Sequence, residues 1–205
     1  MEEQEFSYDL KIPEERVAVL VGTDGETKKE IEQSTQSTLV ISREGDVTIT
    51  GKDAIQLYTA REIVRAVARG FNPKIALQLI KQDFTLEIID LTEVSGKNKN
   101  VLERIKGRII GKAGKARAEI ERLTDTSISV YGKTVGTIGE VENVSLAHQA
   151  IGMLLDGAMH KTVYQFLERK RKDILFHALR SSTGTVHLLS DNIKITHFSD
   201  WTLPP

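Results

Sequence analysis

The sequence predicts an α+β protein made of two tandem copies of one β-α-α-β-β-α unit, each a three-stranded sheet with helices packed on one face. Three observations carry this. First, residues 22–41 laid on 111–130 match at Gly22/Gly111, Gly25/Gly114, Glu30/Glu119, Ile31/Ile120, Glu32/Glu121 and Thr35/Thr124, a self-similarity offset by 89 positions. Second, the apolar period alternates between strand-like and helix-like in the same order in both halves. Third, each copy carries Gly-x-x-Gly between its two short helices, where glycine accepts the positive φ of a tight turn and leaves room for close approach.

The elements follow in order. EFSYDLKI (5–12) alternates as a strand, with Phe6, Tyr8, Leu10 and Ile12 on one face. Pro13, at a first helical position before two glutamates, opens a helix with Val17, Leu20 and Val21 inward. Gly22-Thr23-Asp24-Gly25 ends it, and a second short helix follows with Ile31 inward. STLVIS (37–42) and VTITG (47–51) form a hairpin. Asp53 caps a helix over 53–69 with Ile55, Tyr58, Ile63, Val64 and Val67 at helical spacing, and Gly70 stops it.

Residues 71–83 form a packed helical connector, with Ile75, Leu79 and Ile80 needing a neighbour. The pattern then repeats. FTLEIIDL (84–91) is a strand, SGKNKN a polar turn, and VLERIKGRII (101–110) a helix with Leu102, Ile105 and Ile109 inward. Gly111-Lys112-Ala113-Gly114 is the turn and KARAEIERLTD the second short helix. A hairpin turns at Gly132-Lys133, and one long helix runs from about Ser145 to Asp173. The expected domains are therefore 1–70, the connector 71–83, 84–175, and a tail 176–205. Within the tail, Ser181-Ser182-Thr183-Gly184 reads as a linker, and the rest is a small hairpin or disordered. A lone hairpin is marginal in water, so it docks, swaps or stays unfolded.

Composition narrows the function classes. There is no Cys, which excludes disulfides and thiolate metal sites. The acidic, polar start lacks the apolar core of a signal peptide, and no apolar run approaches the ~18 residues of a membrane span. The protein is expected to be soluble and cytoplasmic. The net charge of −1 hides a division. Residues 1–83 hold 11 basic and 15 acidic side chains, whereas 84–175 hold 15 and 12. From Lys97 to Arg122 nine basic residues face three acidic ones, so the positive charge surrounds the second Gly-x-x-Gly.

That turn has the makings of a phosphate clamp. Lys112 projects from it, the N–H groups of Ala113 to Lys115 lie at a helix N-terminus, and Arg108, Lys115 and Arg117 reach neighbouring phosphates. Of Ile109 and Ile110, one packs in the core and the other offers an apolar floor for bases. The strand 126–131 is the far wall, with main-chain groups and the side chains of Ser127 and Ser129 facing base edges. The first copy differs. Asp24 stands where a phosphate would sit, and Glu26 replaces Lys115. Gly22, Thr23, Asp24 and Gly25 therefore read as a weak or protein-binding loop. The alternative is that Thr23 donates a hydrogen bond and Asp24 turns to solvent.

Enzyme readings find little support. Gly107 to Ala113 is one residue short of a P-loop, has Ala113 where Ser or Thr would hold Mg²⁺, and joins two helices. The five histidines lack metal spacing, with His148 and His160 on one helix and too far apart, and no nucleophile is paired with a base. Neither a cofactor nor a metal is expected.

The element order with Ile110-Gly111-Lys112-Ala113-Gly114-Lys115 between short helices resembles the KH domain of type I topology. That domain's Gly-x-x-Gly loop clamps about four backbone nucleotides of single-stranded RNA. The tandem arrangement, the degenerate first loop, RIKGRIIGKAGKAR and the His160–Asp173 segment together resemble the archaeal branch of the partner-of-Nob-one (Dim-two) ribosome-assembly family, over about residues 5–175. The tail from Phe176 departs from that pattern. The resemblance implies binding to the 3′ region of small-subunit (16S) rRNA, cleavage by a partner endonuclease of the Nob-one type, and contact with the archaeal initiation factor two alpha subunit. The other readings are a protein-interaction adaptor with structural KH folds and a generic KH regulator of mRNA. On the RNA-binding reading, Gly111→Asp with Gly114→Asp removes binding and leaves the fold intact.

Overall fold

The computed structural model describes residues 5–96 and 98–183. The first repeat comprises β1 (Phe6–Lys11), α1 (Glu14–Val21), α2 (Glu26–Thr35), β2 (Ser37–Ile41), β3 (Asp46–Gly51) and α3 (Ala54–Ala68). A connector, α4 (Pro73–Ala76) with a 3₁₀ turn at Leu77–Ile80, leads to β4 (Phe84–Asp90), α5 (Thr92–Ser95), α6 (Lys99–Ile110), α7 (Lys115–Thr124), β5 (Ser127–Tyr131), β6 (Thr134–Glu140), α8 (Val141–Leu155) and α9 (His160–Thr183). The two sheets are antiparallel, ordered β1-β3-β2 and β4-β6-β5. The α+β class and the duplicated three-stranded unit are as the sequence predicts.

The repeated identities now have physical reasons. Ile31 and Ile120 are fully buried at the centre of their own repeats. Thr35 Oγ1 lies 2.7 Å from Ile31 O and 2.7 Å from Ser37 Oγ, and Thr124 Oγ1 lies 2.7 Å from Ile120 O and 2.9 Å from Thr126 Oγ1. Each threonine thereby ties the end of its helix to the strand that follows. Glu32 and Glu121 accept the main-chain N–H of Leu39 and Ile128, at 2.7 and 2.8 Å, the outward-facing amide of an edge strand. Asp53 caps α3 as expected, accepting from Ile55 N and Gln56 N at 2.8 and 3.0 Å.

Several expectations are corrected. The long helix over 145–173 is two helices, beginning at Val141 and broken at Asp156–Met159. Gly157 has φ 96, and Gly157 N bonds Leu154 O while Ala158 N bonds Met153 O, a Schellman closure. The Asp-Gly pair was the signal for this stop. His148 and His160 consequently sit on different helices. A further helical turn, α5, stands between β4 and the polar turn, and Asp90 bonds its first residue. The Asp90 carboxylate accepts from Thr92 N and Oγ1 at 2.8 and 2.7 Å, which holds its pKa below the ordinary aspartate value. On α3, Ile55 and Tyr58 are 79% and 51% exposed, and the buried stripe runs instead through Leu57, Ala60, Ile63, Val64 and Val67. Ile80 of the connector is also exposed, whereas Ala76 and Leu79 are buried. Ser181 to Thr183 belong to α9 rather than to a linker, and the expected hairpin of the tail lies outside the described residues.

Both repeats lie within one compact unit that ends at Arg171. Each sheet packs one face on its own helices. The far face of the first sheet is open, with Thr38 and Val40 exposed. The far face of the second is covered by the first repeat: Ile138, Phe84 and Leu86 join the core built by Leu20, Ile49, Ile63 and Val67. Gly136 is required at that contact, because a Cβ there would come 2.6 Å from the Phe71 ring. Strand β6 is thus buried on both faces from Val135 to Gly139.

Candidate nucleic-acid interface

Helix α6 ends at Ile110 and the chain reverses into α7 through Gly111 (φ 71), Ala113 (φ 53) and Gly114 (φ 76). The two glycines differ in kind. A Cβ on Gly111 would lie 2.5 Å from Ala116 Cβ and 2.8 Å from Ala116 N, whereas nothing stands within 4 Å of one on Gly114. The same contrast recurs in the first repeat, where Gly22 backs onto Thr27 and Gly25 is open.

The structure revises which amides are available. Gly114 N bonds Gly111 O at 3.2 Å and Lys115 N bonds Lys112 O, so two of the three expected donors are used within the turn. The first N–H groups of the turn, those of Lys112 and Ala113, have no acceptor within the helix. The side chains of Lys112 and Lys115 are exposed and make no ion pair among the described residues. Ile109 is fully buried in the repeat's core, and Ile110 is half-buried on the outer side. The structure thus divides the pair that the sequence left undivided.

The basic surround is thinner than the sequence suggests. Arg108, expected to reach a phosphate, turns inward: its Nε donates to Leu154 O at 3.2 Å and its Nη2 to Ala158 O at 2.6 Å. The Arg108 carbonyl meanwhile accepts from His160 Nε2 at 2.8 Å. Arg16 does the same work in the first repeat, donating to Val67 O and Phe71 O at 2.8 and 2.7 Å. In each repeat, an arginine on the helix before the loop joins two carbonyls at and just past the end of the helix after the hairpin, of which Val67 O and Leu154 O also accept Gly70 N and Gly157 N. Arg117 lies 3.6 Å from Glu121, Lys106 pairs with Glu103 at 2.9 Å, and Arg122 pairs with Glu119 at 2.6 Å, which holds the Glu119 carboxyl below its usual pKa. Among the described residues, Lys99, Arg104, Lys112 and Lys115 are the cations of this region held neither by an ion pair nor, like Arg108, by main-chain carbonyls. Arg108→Ala is therefore expected to lower unfolding stability by about 1–3 kcal/mol, the cost of losing two hydrogen bonds from a charged donor. It should leave the salt dependence of any nucleic-acid binding unchanged, as denaturant titration and binding at several ionic strengths would check.

The far wall is also revised. Among the described residues β5 is an edge strand, bonded to β6 alone. Its Ile128 N–H is taken by Glu121. By the alternation of an antiparallel pair, Val130 turns its N–H and C=O to the same open side. Ser129 does not face that groove: its Oγ donates to Arg69 O at 2.8 Å, on the face covered by the first repeat. Ser127 lies on that same face, half-buried. Sequence reasoning missed Glu121, although its identity with Glu32 was on view.

The first loop keeps the geometry without the charge. Gly22, Asp24 and Gly25 have φ of 74, 51 and 77, as Gly111, Ala113 and Gly114 do. The side chain of Lys29 lies 3.5 Å from Asp24 O, and Thr23 is exposed. His148 lies 2.6 Å from Glu87, and among the described residues no group of three or more His, Asp or Glu is placed to hold a metal. No described helix is long and apolar enough to cross a membrane.

Comparison with known proteins agrees with this architecture. Residues 85–172 match the model for the eukaryotic type KH-domain (KH-domain type I), in its PNO1 second-domain form, and residues 7–66 match the KH domain. The chain is 48% identical over 169 residues to KH domain-containing protein MJ0443 of Methanocaldococcus jannaschii, covering 80% of this chain and 74% of that protein. It is 34% identical to the Pre-rRNA-processing protein PNO1 of Chaetomium thermophilum, covering 56% of this chain and 44% of that one. A chain in the solved a/eIF2alpha-aDim2p-rRNA complex from Pyrococcus horikoshii OT3 superimposes with a TM-score of 0.78 at 42% identity, over 84% of this chain and 97% of that chain. With two matched KH domains, the duplicated fold and this level of identity over most of its length, the chain belongs to the PNO1/Dim2 family of tandem KH-domain proteins.

Proposed function

We propose that the protein is a single-stranded RNA-binding ribosome-assembly factor acting in the cytoplasm on the 3′ region of small-subunit (16S) rRNA, which assists maturation without cutting the RNA itself. One observation carries the reading: among the described residues, Lys112 and Lys115 stand exposed and unpaired on a tight turn at the start of α7, beside the open edge of β5. A phosphate run docks at the turn through the Lys112 and Ala113 N–H groups and the two ammonium groups. Gly111 and Gly114 let the backbone come close, Arg117 leaves Glu121 for a phosphate, and Ile110 is the apolar floor. The bases then meet the N–H and C=O of Val130.

Relatives named for pre-rRNA processing, and a solved relative that sits with rRNA and a/eIF2alpha, support the choice of RNA and of one protein partner. The cutting enzyme in this proposal is a separate endonuclease of the Nob-one type, as the family resemblance implies. The exposed Ile55 and Tyr58 and the acidic loop at Asp24 favour protein contact over RNA contact for the first repeat. Crosslinking of bound RNA in cells, mapped to nucleotide and residue, tests the reading. Crosslinks gathered at Ile110–Arg117 on the 3′ region of small-subunit rRNA are expected. Crosslinks gathered on the first repeat, or on unrelated transcripts, would overturn it.

A further inference from the structure

The first repeat keeps a complete fold and a loop with the wrong charge, so its contribution has to be sought elsewhere than at that loop. It is found on β5. Among the described residues this strand has a neighbour on one edge only, and its other edge carries the Val130 groups assigned above to the bases. Five residues bonded on one side fray readily, whereas a recognition edge needs placement to about 0.5 Å. Ile128 and Val130 anchor one face of the strand in the core of its own repeat. The opposite face, Ser129 and Tyr131, is gripped by the first repeat at three points.

Ser129 Oγ donates to Arg69 O at 2.8 Å. The Tyr131 hydroxyl donates to the Glu15 carboxylate, and the Arg16 guanidinium sits 5.9 Å from the Tyr131 ring centre. Arg16 is itself held by Val67 O and Phe71 O, so the grip is rigid rather than incidental. Gly70 makes the approach possible, since a Cβ there would come 2.8 Å from Ser129 Oγ and 3.0 Å from Tyr131 Cβ. None of these groups faces the open edge.

We infer that the first repeat is a buttress for the recognition strand of the second, with Glu15, Arg16 and Arg69 acting as positioning residues for RNA binding through Tyr131 and Ser129. This rests on the RNA-binding reading of the second repeat. It also accounts for a first repeat that retains its fold while its loop lacks the charge of a clamp.

The test uses the full chain, a single-stranded oligonucleotide from the 3′ region of 16S rRNA, and four variants: Glu15→Ala, Glu15→Gln, Tyr131→Phe with Ser129→Ala, and Ile75→Val as a packing control in the connector. Glu15→Ala and the Tyr131/Ser129 pair are expected to weaken binding about three- to tenfold, the effect of removing one or two hydrogen bonds. The salt slope should stay unchanged, because the same phosphates are neutralised in every variant. Discrimination between oligonucleotides that differ by one base should narrow in the same variants. Glu15→Gln keeps an acceptor and should restore both affinity and discrimination, and Ile75→Val should leave both alone despite any fall in melting temperature. Unchanged affinity and discrimination in the first two variants would overturn the inference. So would a shallower salt slope, which would make these residues direct partners of phosphates, or an equal weakening in Ile75→Val, which would make the effect plain destabilisation. If the unmodified chain binds no RNA, the RNA-binding reading falls instead.

Discussion

A chain carrying Lys112→Thr and Ala113→Asp folds normally and binds single-stranded RNA at least about ten- to hundredfold more weakly, the effect expected for removing one charge-assisted hydrogen bond. The two new residues are those at the matching places of the first repeat, Thr23 and Asp24. The structure explains why the fold tolerates them. Asp24 already sits at φ 51 in a turn of the same shape, and Ala113 sits at φ 53. Aspartate enters the left-handed region more readily than alanine, so the exchange does not strain the backbone. Its effect is electrostatic: one cation is removed and one anion is added beside the proposed phosphate. The salt dependence should become shallower by about 0.7 in log–log slope for each single-strand phosphate that is no longer neutralised. Anisotropy titrations at several ionic strengths, with circular dichroism to confirm the fold, make the measurement. An unaltered affinity would remove the clamp from consideration.

The second large effect is on stability and separates the two glycines of the motif. Gly111→Ala is expected to cost about 3 kcal/mol or more, and Gly114→Ala about 1 kcal/mol. Gly111 combines φ 71 with ψ 177, a region that glycine alone uses comfortably, and its missing Cβ makes room for Ala116. Gly114 is left-handed, with open space around it. For a chain of this length the difference from wild type at Gly111 is a fall of roughly 6–12 °C in melting temperature. Equal melting temperatures for the two variants would contradict the packing described at Ala116. The pair Gly111→Asp and Gly114→Asp is for this reason an unsuitable binding test. It damages the fold and the clamp together, contrary to the expectation from sequence, and the Lys112/Ala113 exchange is the cleaner one.

Much of the fold was legible because its signals are local. Alternation located β1, turn residues located the hairpins β2–β3 and β5–β6, helical spacing located α1 to α3, and Asp53 announced its own cap. Where local reading failed, a competing local signal had been passed over, as with Asp156-Gly157, or the phase of a helix was set by distant partners. Ile55 and Tyr58 fit a helical stripe on paper, yet the stripe that meets the sheet runs through Leu57, Ala60 and Val64. The candidate site divides in the same way. Lys112, Lys115 and the two glycines stand where the motif placed them. Arg108 and Ser129 do not, because their partners, Leu154, Ala158 and Arg69, lie 46 to 60 positions away.

By itself the sequence determined the duplication, the order of elements, the shape of the Gly-x-x-Gly turn and the charge that distinguishes its two copies. Periodicity, backbone preference and net charge act over a few residues and can be read without the fold. Only the tertiary structure decided which cations remain free, which of Ile109 and Ile110 is core, and that the second sheet closes on the first repeat. Those outcomes depend on hydrogen-bond partners and buried faces contributed by residues remote in the chain, and burial against such neighbours outweighs what a side chain would do on an isolated helix or strand.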